Sequence, residues 1–278
     1  MSRIFSVASK ITKLPFVKTL SPGANKAPSK KELKGFLEAQ RLAQRITKEV
    51  GEALEGGVTE KHVAAQLNAT LKKEGVESFF HKAFVWWGDR SRFTGVKHTP
   101  DFLPSNRKLK NGDIYILDVA PILKGYQCDI GYSNVFGQNA RYEPAMTYLE
   151  DLRGRIPEMF VTCRSGGEVW RAVDSDIKKA GYDNIHNLYP FSVLGHRIHF
   201  QKNEQPGVGF LNFGWQSYWS LISRGLFGQL LNQNFAGDLT GLWAIEPHIG
   251  GNGFGVKFEE ILLVDENGAR WIEKDLFR

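Results

Sequence analysis

Two aspartates stand eleven residues apart in a segment that is otherwise strongly apolar. Asp118 and Asp129 belong to ILDVAPILKGYQCDIGY, whose composition is typical of β-strands. Burying an ionised carboxylate is costly unless a cation, a metal or several hydrogen bonds accompany it. The two residues centre on Leu123 and Lys124, just ahead of Gly125, so a hairpin turn there predicts carboxylates that face each other on neighbouring strands. Two adjacent like charges need a cation.

A second pair of acids repeats this arrangement nearer the C-terminus. In LWAIEPHIGGNGFGVKFEEILLV, Asn252 and Gly253 form a strong signal for a hairpin turn. Glu246 and Glu259 centre on that same dipeptide. The pattern therefore predicts a second hairpin that brings two more carboxylates face to face.

Histidines lie between the two candidate hairpins. His196 and His199 follow an apolar run and a glycine in SVLGHRIHFQKN. Two acid pairs and an imidazole suit a pair of divalent ions, Mn or Fe foremost, with Co or Zn as alternatives. Such a centre can bind a bridging water, lower its pKa, polarise a carbonyl and stabilise a tetrahedral intermediate. Each residue alone could be an ordinary strand-end or surface residue, and it is the joint arrangement that favours a metal centre.

The chain around these residues predicts helices and strands in a repeated order. Amphipathic helices are expected over KELKGFLEAQRLAQRITKEVGEAL and GGVTEKHVAAQLNATLKKEG, the second with Thr59 as N-cap and an end at Gly75. Strand-like runs follow at SFFHKAFVWW, DIYILDVAP and YQCDIGYSNVF, and helices at about 143–164 and 167–181 precede a second strand-rich half. Helices followed by a hairpin are therefore predicted twice.

Length and composition are those of one ordinary globular unit. The 278 residues are 42% hydrophobic and 24% charged. Cys128 and Cys163 are too few for a disulfide framework, which favours a reducing, cytoplasmic setting. The net charge is +6, but residues 1–31 hold seven Lys and Arg and no acid, which leaves 29 basic against 30 acidic residues. Because the body is near neutral, nucleic-acid binding is not expected.

Two segments differ from this body. Residues 1–31 are expected to form a basic arm on the surface, with a transit peptide, and hence an organellar location, as the alternative. Residues 207–237 carry seven aromatic residues and a single charge, Arg224. Such an insert predicts a lid over a pocket or an oligomer contact, and a homodimer is the expected assembly. A peripheral membrane contact made together with the arm is left open.

The two acid pairs and the GH element resemble the pita-bread metallopeptidases, the family of methionine aminopeptidase, Xaa-Pro aminopeptidase and prolidase, with creatinase as a non-peptidase relative. The similar blocks, LDVAPILKGYQCDIGYSNVF, LGHRIH, AIEPHIG and VKFEEILLV, lie between about Lys31 and the C-terminus. The resemblance implies an α+β fold, in which two pseudo-symmetric halves of helices and antiparallel sheet surround a central dinuclear metal site. Residues 32–278 would form this catalytic domain.

The resemblance also implies a role for each motif residue. Asp118 would chelate one ion, and Asp129 and Glu259 would bridge both. His196 and Glu246 would complete the other ion, and Glu246 would also act as general base on the bridging water.

The substrate side is where this chain departs from the family pattern. His98, in GVKHTP, resembles the histidine that contacts the substrate near the scissile bond. Asn203 stands where the family usually has a second pocket histidine, and Arg197 replaces a small residue after the GH pair. His199 is the candidate to supply an imidazole from a shifted position. His248 is a further candidate for the substrate pocket.

Three functions are compatible with these residues. The leading hypothesis is a metal-dependent hydrolase, an aminopeptidase or Xaa-Pro dipeptidase-like enzyme that cleaves the N-terminal amide bond of small peptides. A second keeps the fold and the ions but acts on a non-peptide small molecule, as creatinase does, because Asn203 changes the pocket. A third is a non-catalytic binding module, against which the complete ligand set argues.

Overall fold

The computed structural model describes residues 26–201, 212–213 and 228–277. In these ranges the α-helices are α1 (Lys30–Glu52), α2 (Glu60–Lys73), α3 (Tyr142–Thr162) and α4 (Gly166–Lys179). The strands of the first half are β1 (Ser78–Trp87), β2 (Ile114–Leu123), β3 (Tyr126–Gln127) and β4 (Ile130–Val135). Those of the second half are β5 (Asp183–Asn184), β6 (Gly195–Ile198), β7 (Leu230–Leu231), β8 (Gly241–Ile245), β9 (His248–Gly251), β10 (Phe254–Lys257), β11 (Glu260–Asp265) and β12 (Gly268–Trp271). The helices and strands predicted from the sequence are thus present, in the predicted order.

The first two helices begin at residues whose hydroxyl groups cap them. Ser29 forms a capping box at the start of α1, and Thr59 accepts a hydrogen bond at the start of α2, as predicted. At the end of α2, Val76 N donates to Leu71 O, and Gly75 adopts a φ of 93°. This is the left-handed C-terminal turn that favours glycine, and it directs the chain into β1.

The sheet of the first half is antiparallel, with β2 between β1 and the pair β3 and β4. The turn after β2 is Lys124–Gly125, with φ values of 51° and 79°, the mirror-image turn that two-residue hairpins favour. Asp118 therefore pairs with Gly131 and not with Asp129, so the predicted register was wrong by two residues. Because side chains alternate with period two, this shift leaves both carboxylates on one face.

The second half contains a five-stranded sheet in the order β12-β11-β8-β6-β7 and a three-stranded sheet in the order β10-β9-β5. The turn at Asn252–Gly253 joins β9 to β10, Lys257 pairs with His248 across it, and the same register continues between β8 and β11. The register predicted from this turn is confirmed. Glu246 and Glu259 consequently lie opposite each other, where the chain passes between the two sheets.

The core of the described residues contains a small apolar cluster around Phe84 and Trp86 and two larger clusters. One of the larger clusters lies against α1, α2 and the first sheet, and the other lies against α3 and α4. The five-stranded sheet contributes alternate residues to the two clusters: Ala244 and Ile261 to the first, Trp243 and Leu262 to the second. This sheet therefore fixes the two halves against each other and sets the positions of the residues between them.

Two sequence predictions fall largely outside the described residues. One concerns the basic arm, whose residues 1–25 are not described. The other concerns the 207–237 insert, most of which is not described. The described end of the insert is part of the core, because Leu230–Leu231 form β7 and Phe235 is buried in the second cluster. Among the helices that are described, none combines the length and the apolar character needed to cross a membrane.

Candidate metal centre

Backbone pairing brings acids from both halves to one buried point. Gly131 pairs with Asp118 on one side and with Glu259 on the other. A Cβ atom at Gly131 would lie 2.5 Å from Lys257 Cε and 3.1 Å from Glu259 Cβ. Only a glycine leaves room there for the Lys257 side chain, which crosses between the strands that carry the two acids.

All five ligands predicted from the sequence are buried together. They expose between 1% and 8% of their surface: Asp118, Asp129, His196, Glu246 and Glu259. Ligand atoms of Asp129, His196 and Glu259 lie within 4.8 Å of one another, and so do those of Asp118, Glu246 and Glu259. The two predicted acid pairs therefore converge with the predicted histidine, as the motif pattern requires.

His196 faces Asp129 and Glu259, the two carboxylates that are predicted to bridge the ions. Its Nε2 lies 3.0 Å from Asp129 Oδ2 and 3.9 Å from Glu259 Oε1, while Nδ1 lies 3.1 Å from Arg197 O. Because a carbonyl only accepts, Nδ1 carries the hydrogen and Nε2 is directed at the acids. Burial opposes the charged imidazolium, but the hydrogen bond and charge of Asp129 raise the pKa of His196 above its ordinary value.

An ammonium group that the sequence analysis missed lies among the acids. Lys257 Nζ donates to Asp118 Oδ2 at 2.7 Å, and to Glu246 Oε2 and Glu259 Oε2 at 2.8 Å each. Burial disfavours the charged form, yet these three carboxylates raise the pKa of Lys257 well above its ordinary value. The available signal was its position two residues before Glu259, which places both side chains on one face of an extended segment.

The sequence analysis also missed His81, on β1. Its Nε2 lies 3.4 Å from Asp118 Oδ1 and 3.2 Å from Asp129 Oδ1. Burial lowers the pKa of His81, but the charges of Asp129 and Asp118 outweigh it and raise the pKa to about 9. The sequence offered little signal, because a single histidine in the apolar run SFFHKAFVWW is ordinary by itself.

In the described part of the chain, two carboxylate oxygens of this site are buried without a hydrogen bond, which is the condition that a metal would relieve. Asp118, Asp129, Glu246 and Glu259 are buried beside the ammonium of Lys257 and the imidazoles of His81 and His196. Within the described residues, Asp118 Oδ1 and Asp129 Oδ1 are buried without a hydrogen bond. Burial raises the pKa of Glu246 and of Glu259, whereas both neighbouring imidazoles hold the pKa of Asp129 below its ordinary value despite its burial. Hard oxygen and imidazole donors, with buried oxygens that lack a hydrogen bond, fit divalent cations.

Two of the predicted pocket residues have structural partners instead. The guanidinium of Arg197 donates to Gly228 O, to Thr240 O at 2.6 Å and to Asp238 O, and it lies 4.2 Å from the ring of Trp243. Successive strand residues point to opposite faces, so Arg197 points away from the side that His196 occupies. The prediction of Arg197 as a substrate-pocket residue was wrong.

His248 is likewise fully buried. Its Nε2 lies 2.7 Å from Ser91 O and its Nδ1 lies 2.9 Å from the Tyr189 hydroxyl. Burial lowers its pKa well below the ordinary value, so a neutral ring donates to Ser91 and accepts from Tyr189. Tyr189 in turn places its ring 5.5 Å from Lys257 Nζ. His248 therefore supports the wall of the site and does not line an open pocket, which corrects the second pocket prediction.

The remaining substrate-side predictions are not decided by this geometry. His98 is exposed at the start of the 3-10 helix Thr99–Phe102, and His199 Nε2 lies 2.6 Å from Gln229 Oε1. Neither belongs to the groups of metal-ligand atoms formed by the described residues. Asn203 lies outside the described residues. The catalytic roles of His98 and His199 stay predictions.

Aromatic rings border the imidazole side of the centre. Phe80 stacks on His196 with ring centres 5.0 Å apart, and Phe213 lies 5.4 Å from the ring of His81 and 6.1 Å from that of Phe84. The preceding residue, Asn212, accepts a hydrogen bond from the backbone of β1. A described part of the aromatic insert thus reaches the centre, whereas its action as a lid stays a prediction.

The model of metallopeptidase family M24 matches residues 34–266. The chain belongs to family M24. This M24 chain is similar to the Xaa-Pro dipeptidase of Pyrococcus furiosus, with 22% identity over 247 residues, which cover 88% of this chain and 62% of that protein. It is also similar to YkvY of Bacillus subtilis, provisionally named a dipeptidase, with 29% identity over 186 residues, which cover 65% of this chain and 47% of YkvY.

A solved structure with the same architecture is the X-Pro aminopeptidase from Thermotoga maritima. The TM-score is 0.67 at 19% identity, over 90% of this chain and 63% of that one. The predicted pita-bread fold of two helix-and-sheet halves is thereby confirmed. The M24 chain spans about half to two thirds of the length of these relatives. M24 metallopeptidases use divalent metals, and the carboxylate and histidine groups described above are the candidate ligands.

Proposed function

We propose that this M24 chain is a dinuclear metal-dependent peptidase that cleaves the N-terminal amide bond of small peptides. The observation that carries the proposal is the convergence of four buried acids and a histidine, from both halves of the fold, on one site. The names of the similar proteins, Xaa-Pro dipeptidase and X-Pro aminopeptidase, make peptides with proline in the second position the first substrates to test.

Two divalent ions, Mn or Fe foremost, are the proposed cofactors. Asp118, Asp129, His196, Glu246 and Glu259 are the residues that would hold them. When bound, such ions supply a polarised scissile carbonyl and a water of lowered pKa. This chain supplies the position of each donor and an environment from which bulk water is largely excluded.

Glu246 is the proposed general base. Lys257 fixes Glu246 Oε2 by a 2.8 Å hydrogen bond, which leaves Oε1 to accept a proton from the attacking water. Burial and the charge of Asp118 raise the pKa of Glu246, although Lys257 opposes them. A base with a raised pKa can release the proton again to the departing amine.

The aromatic side of the centre supports a small apolar side chain on the substrate. Phe84 and Trp86 stack with ring centres 5.4 Å apart, and Phe213 and Tyr189 are partly exposed beside this cluster. Rings of this kind offer flat apolar surface with few rotatable bonds. They fit the ring of a proline or another compact residue better than a charged side chain.

The test is hydrolysis of a peptide panel by protein stripped of metal and then reloaded with Mn²⁺ or Fe²⁺. We expect activity on Xaa-Pro dipeptides or on Xaa-Pro tripeptides, lost on chelation and restored by either ion, and lost in Glu246→Gln. The matched control is Glu143→Gln, at the exposed start of α3. Full metal occupancy without cleavage of any panel peptide would overturn the peptidase proposal and would favour a non-peptide substrate.

A further inference from the structure

We infer that His81 is a ligand of this centre, so that one imidazole is bound to each of the two ions, His81 on one side of Asp129 and His196 on the other. The inference rests on the proposed function, because it concerns the same ions. His81 would be a sixth ligand beside the five residues of the sequence motifs, and it lies outside every motif.

The irregular course of β1 places His81 on the face of the acids. Two register shifts flank it, one between Phe79 and His81 and one between His81 and Phe84. Such bulges change which face a side chain points to, and they are frequent beside functional sites. His81 pairs with Ala120 of β2. On the other edge of β2, the register of β3 and β4 places Asp129 directly across from Ala120. His81 and Asp129 therefore lie in one row across the sheet.

Hydrogen bonding fixes which nitrogen of His81 faces the acids. Nδ1 lies 3.0 Å from Lys82 O, and a carbonyl can only accept, so Nδ1 carries the hydrogen. Nε2 is then the nitrogen that faces Asp118 and Asp129. An imidazole that donates its other N–H to a carbonyl or carboxylate, which fixes the orientation of the ring, is the usual arrangement for histidines that bind metals.

The distances around Nε2 are those of ligand atoms around a common ion. Two ligand atoms bound at about 2.1 Å to a tetrahedral ion lie about 3.4 Å apart. His81 Nε2 lies 3.4 Å from Asp118 Oδ1 and 3.2 Å from Asp129 Oδ1. Both of these carboxylate oxygens are buried without a hydrogen bond in the described part of the chain. A cation among the three atoms would satisfy all of them.

His81 and His196 make matching contacts on opposite sides of one carboxylate. Each places Nδ1 about 3 Å from the carbonyl of the next residue, at 3.0 and 3.1 Å. Each directs Nε2 at a different oxygen of Asp129, Oδ1 for His81 and Oδ2 for His196. A bridging Asp129 would consequently have an imidazole beside each of its metal bonds.

Lys257 determines which oxygens remain for the ions. Its ammonium occupies Oδ2 of Asp118 and Oε2 of Glu259. The other oxygens of these acids face the imidazoles, Asp118 Oδ1 toward His81 and Glu259 Oε1 toward His196. The ammonium therefore stays on one side of the acids and leaves the imidazole side for two ions.

A second nitrogen donor also changes the expected metal preference. Carboxylate-rich sites suit Mn²⁺, whereas imidazole suits Zn²⁺ and Fe²⁺ better. His81 should thus move the preference of this chain away from Mn²⁺, relative to a centre that holds a single histidine.

The first experiment counts imidazoles on the wild-type protein, loaded with two equivalents of Zn²⁺, by X-ray absorption at the zinc edge. We expect an average of one imidazole per ion, because two histidines share two ions. One imidazole for every two ions would overturn the inference and would leave the dinuclear centre intact. This measurement needs no variant and so does not depend on the folding of one.

The second experiment compares metal binding by His81→Ala, His81→Asn, His196→Ala and the control His62→Ala, at an exposed position on α2. Elemental analysis and competition with a chelator should show loss of one ion, or an affinity lower by at least about 10–100-fold, in both His81 variants and in His196→Ala. His62→Ala should retain two ions. Two ions at unchanged affinity in both His81 variants would overturn the inference. A wild-type protein that binds no metal would instead overturn the proposed function.

Discussion

His81 and His196 occupy equivalent places on the two sides of Asp129, but only His196 is visible in the sequence. His196 belongs to a GH element that follows an apolar run, and β6 carries it in a regular register. His81 lies in an apolar strand without motif context and reaches the acids only because β1 is irregular on both sides of it. The same local geometry at Nδ1 and Nε2 therefore arises from two very different sequence settings.

Motif spacing therefore finds candidate ligands on regular strands and misses candidate ligands on irregular ones. Alternation with period two makes Asp118 and Asp129 share a face even after a register error of two residues. Each bulge in β1, by contrast, shifts the register by one residue and so changes the face of everything beyond it. Four measurements test whether the two histidines are equivalent and how the acids between them are held.

The largest effect is expected from Asp129→Ala, because Asp129 faces both imidazoles. Loss of this carboxylate should remove both ions. Activity should fall by more than the roughly 10–100-fold that is typical for loss of a residue that only orients a metal ligand. Elemental analysis and steady-state kinetics check this. The exposed Asp151→Ala, on α3, is the control. Retention of two ions by Asp129→Ala would show that Asp129 bridges nothing.

The double variant His81→Ala/His196→Ala tests whether the two histidines act on separate ions. If each serves its own ion, the two single variants should each retain about one ion, and the double variant should retain none. Calorimetric titration with Mn²⁺ measures the stoichiometry. Loss of both ions on removal of His196 alone would mean that the two sides of Asp129 are not equivalent, and the comparison would fail.

Lys257→Met should lower the stability of the metal-free protein. Removing one partner from a buried ionic cluster costs about 3–5 kcal/mol, because the acids of the centre then lack their ammonium. Bound divalent ions should recover part of this loss, so the stabilisation by metal should be greater in the variant than in the wild type. Urea unfolding with and without Mn²⁺ measures both quantities. The exposed Lys82→Met should change stability by less than about 0.5 kcal/mol.

Gly131→Ala is expected to have the smallest effect of the four. Its new Cβ would meet Lys257 Cε at 2.5 Å, and such overpacking typically costs about 1–3 kcal/mol. Gly154→Ala, in α3, is the matched control, because no atom lies within 4 Å of the added Cβ and alanine favours a helix by roughly 0.5–1 kcal/mol. Thermal unfolding should move in opposite directions for the two variants. A shift of the same sign would contradict the crowding at Gly131.

Much of the fold follows from local signals that act over a few residues. Ser29 and Thr59 cap the first two helices, Gly75 ends the second, and Asn252–Gly253 sets the register that brings Glu246 and Glu259 together. The first hairpin shows the limit of such signals. Its turn lies at Lys124–Gly125, and the predicted centre, displaced by one position, gave the wrong partner for Asp118.

The sequence alone was enough to identify the five candidate ligands, the two hairpins that hold the acids and the family, because turn residues, strand alternation and motif spacing are local properties. Only the tertiary structure decided the surroundings of those ligands. His81 comes from an irregular strand and Lys257 passes over Gly131, while Arg197 points away from the centre and His248 is buried behind Tyr189. The position of His81 depends on a bulge, and those of Lys257 and His248 depend on contacts with segments more than a hundred residues away, at Gly131 and Ser91. The direction of Arg197 follows from strand alternation, and only its partners at Asp238 and Thr240 required the structure.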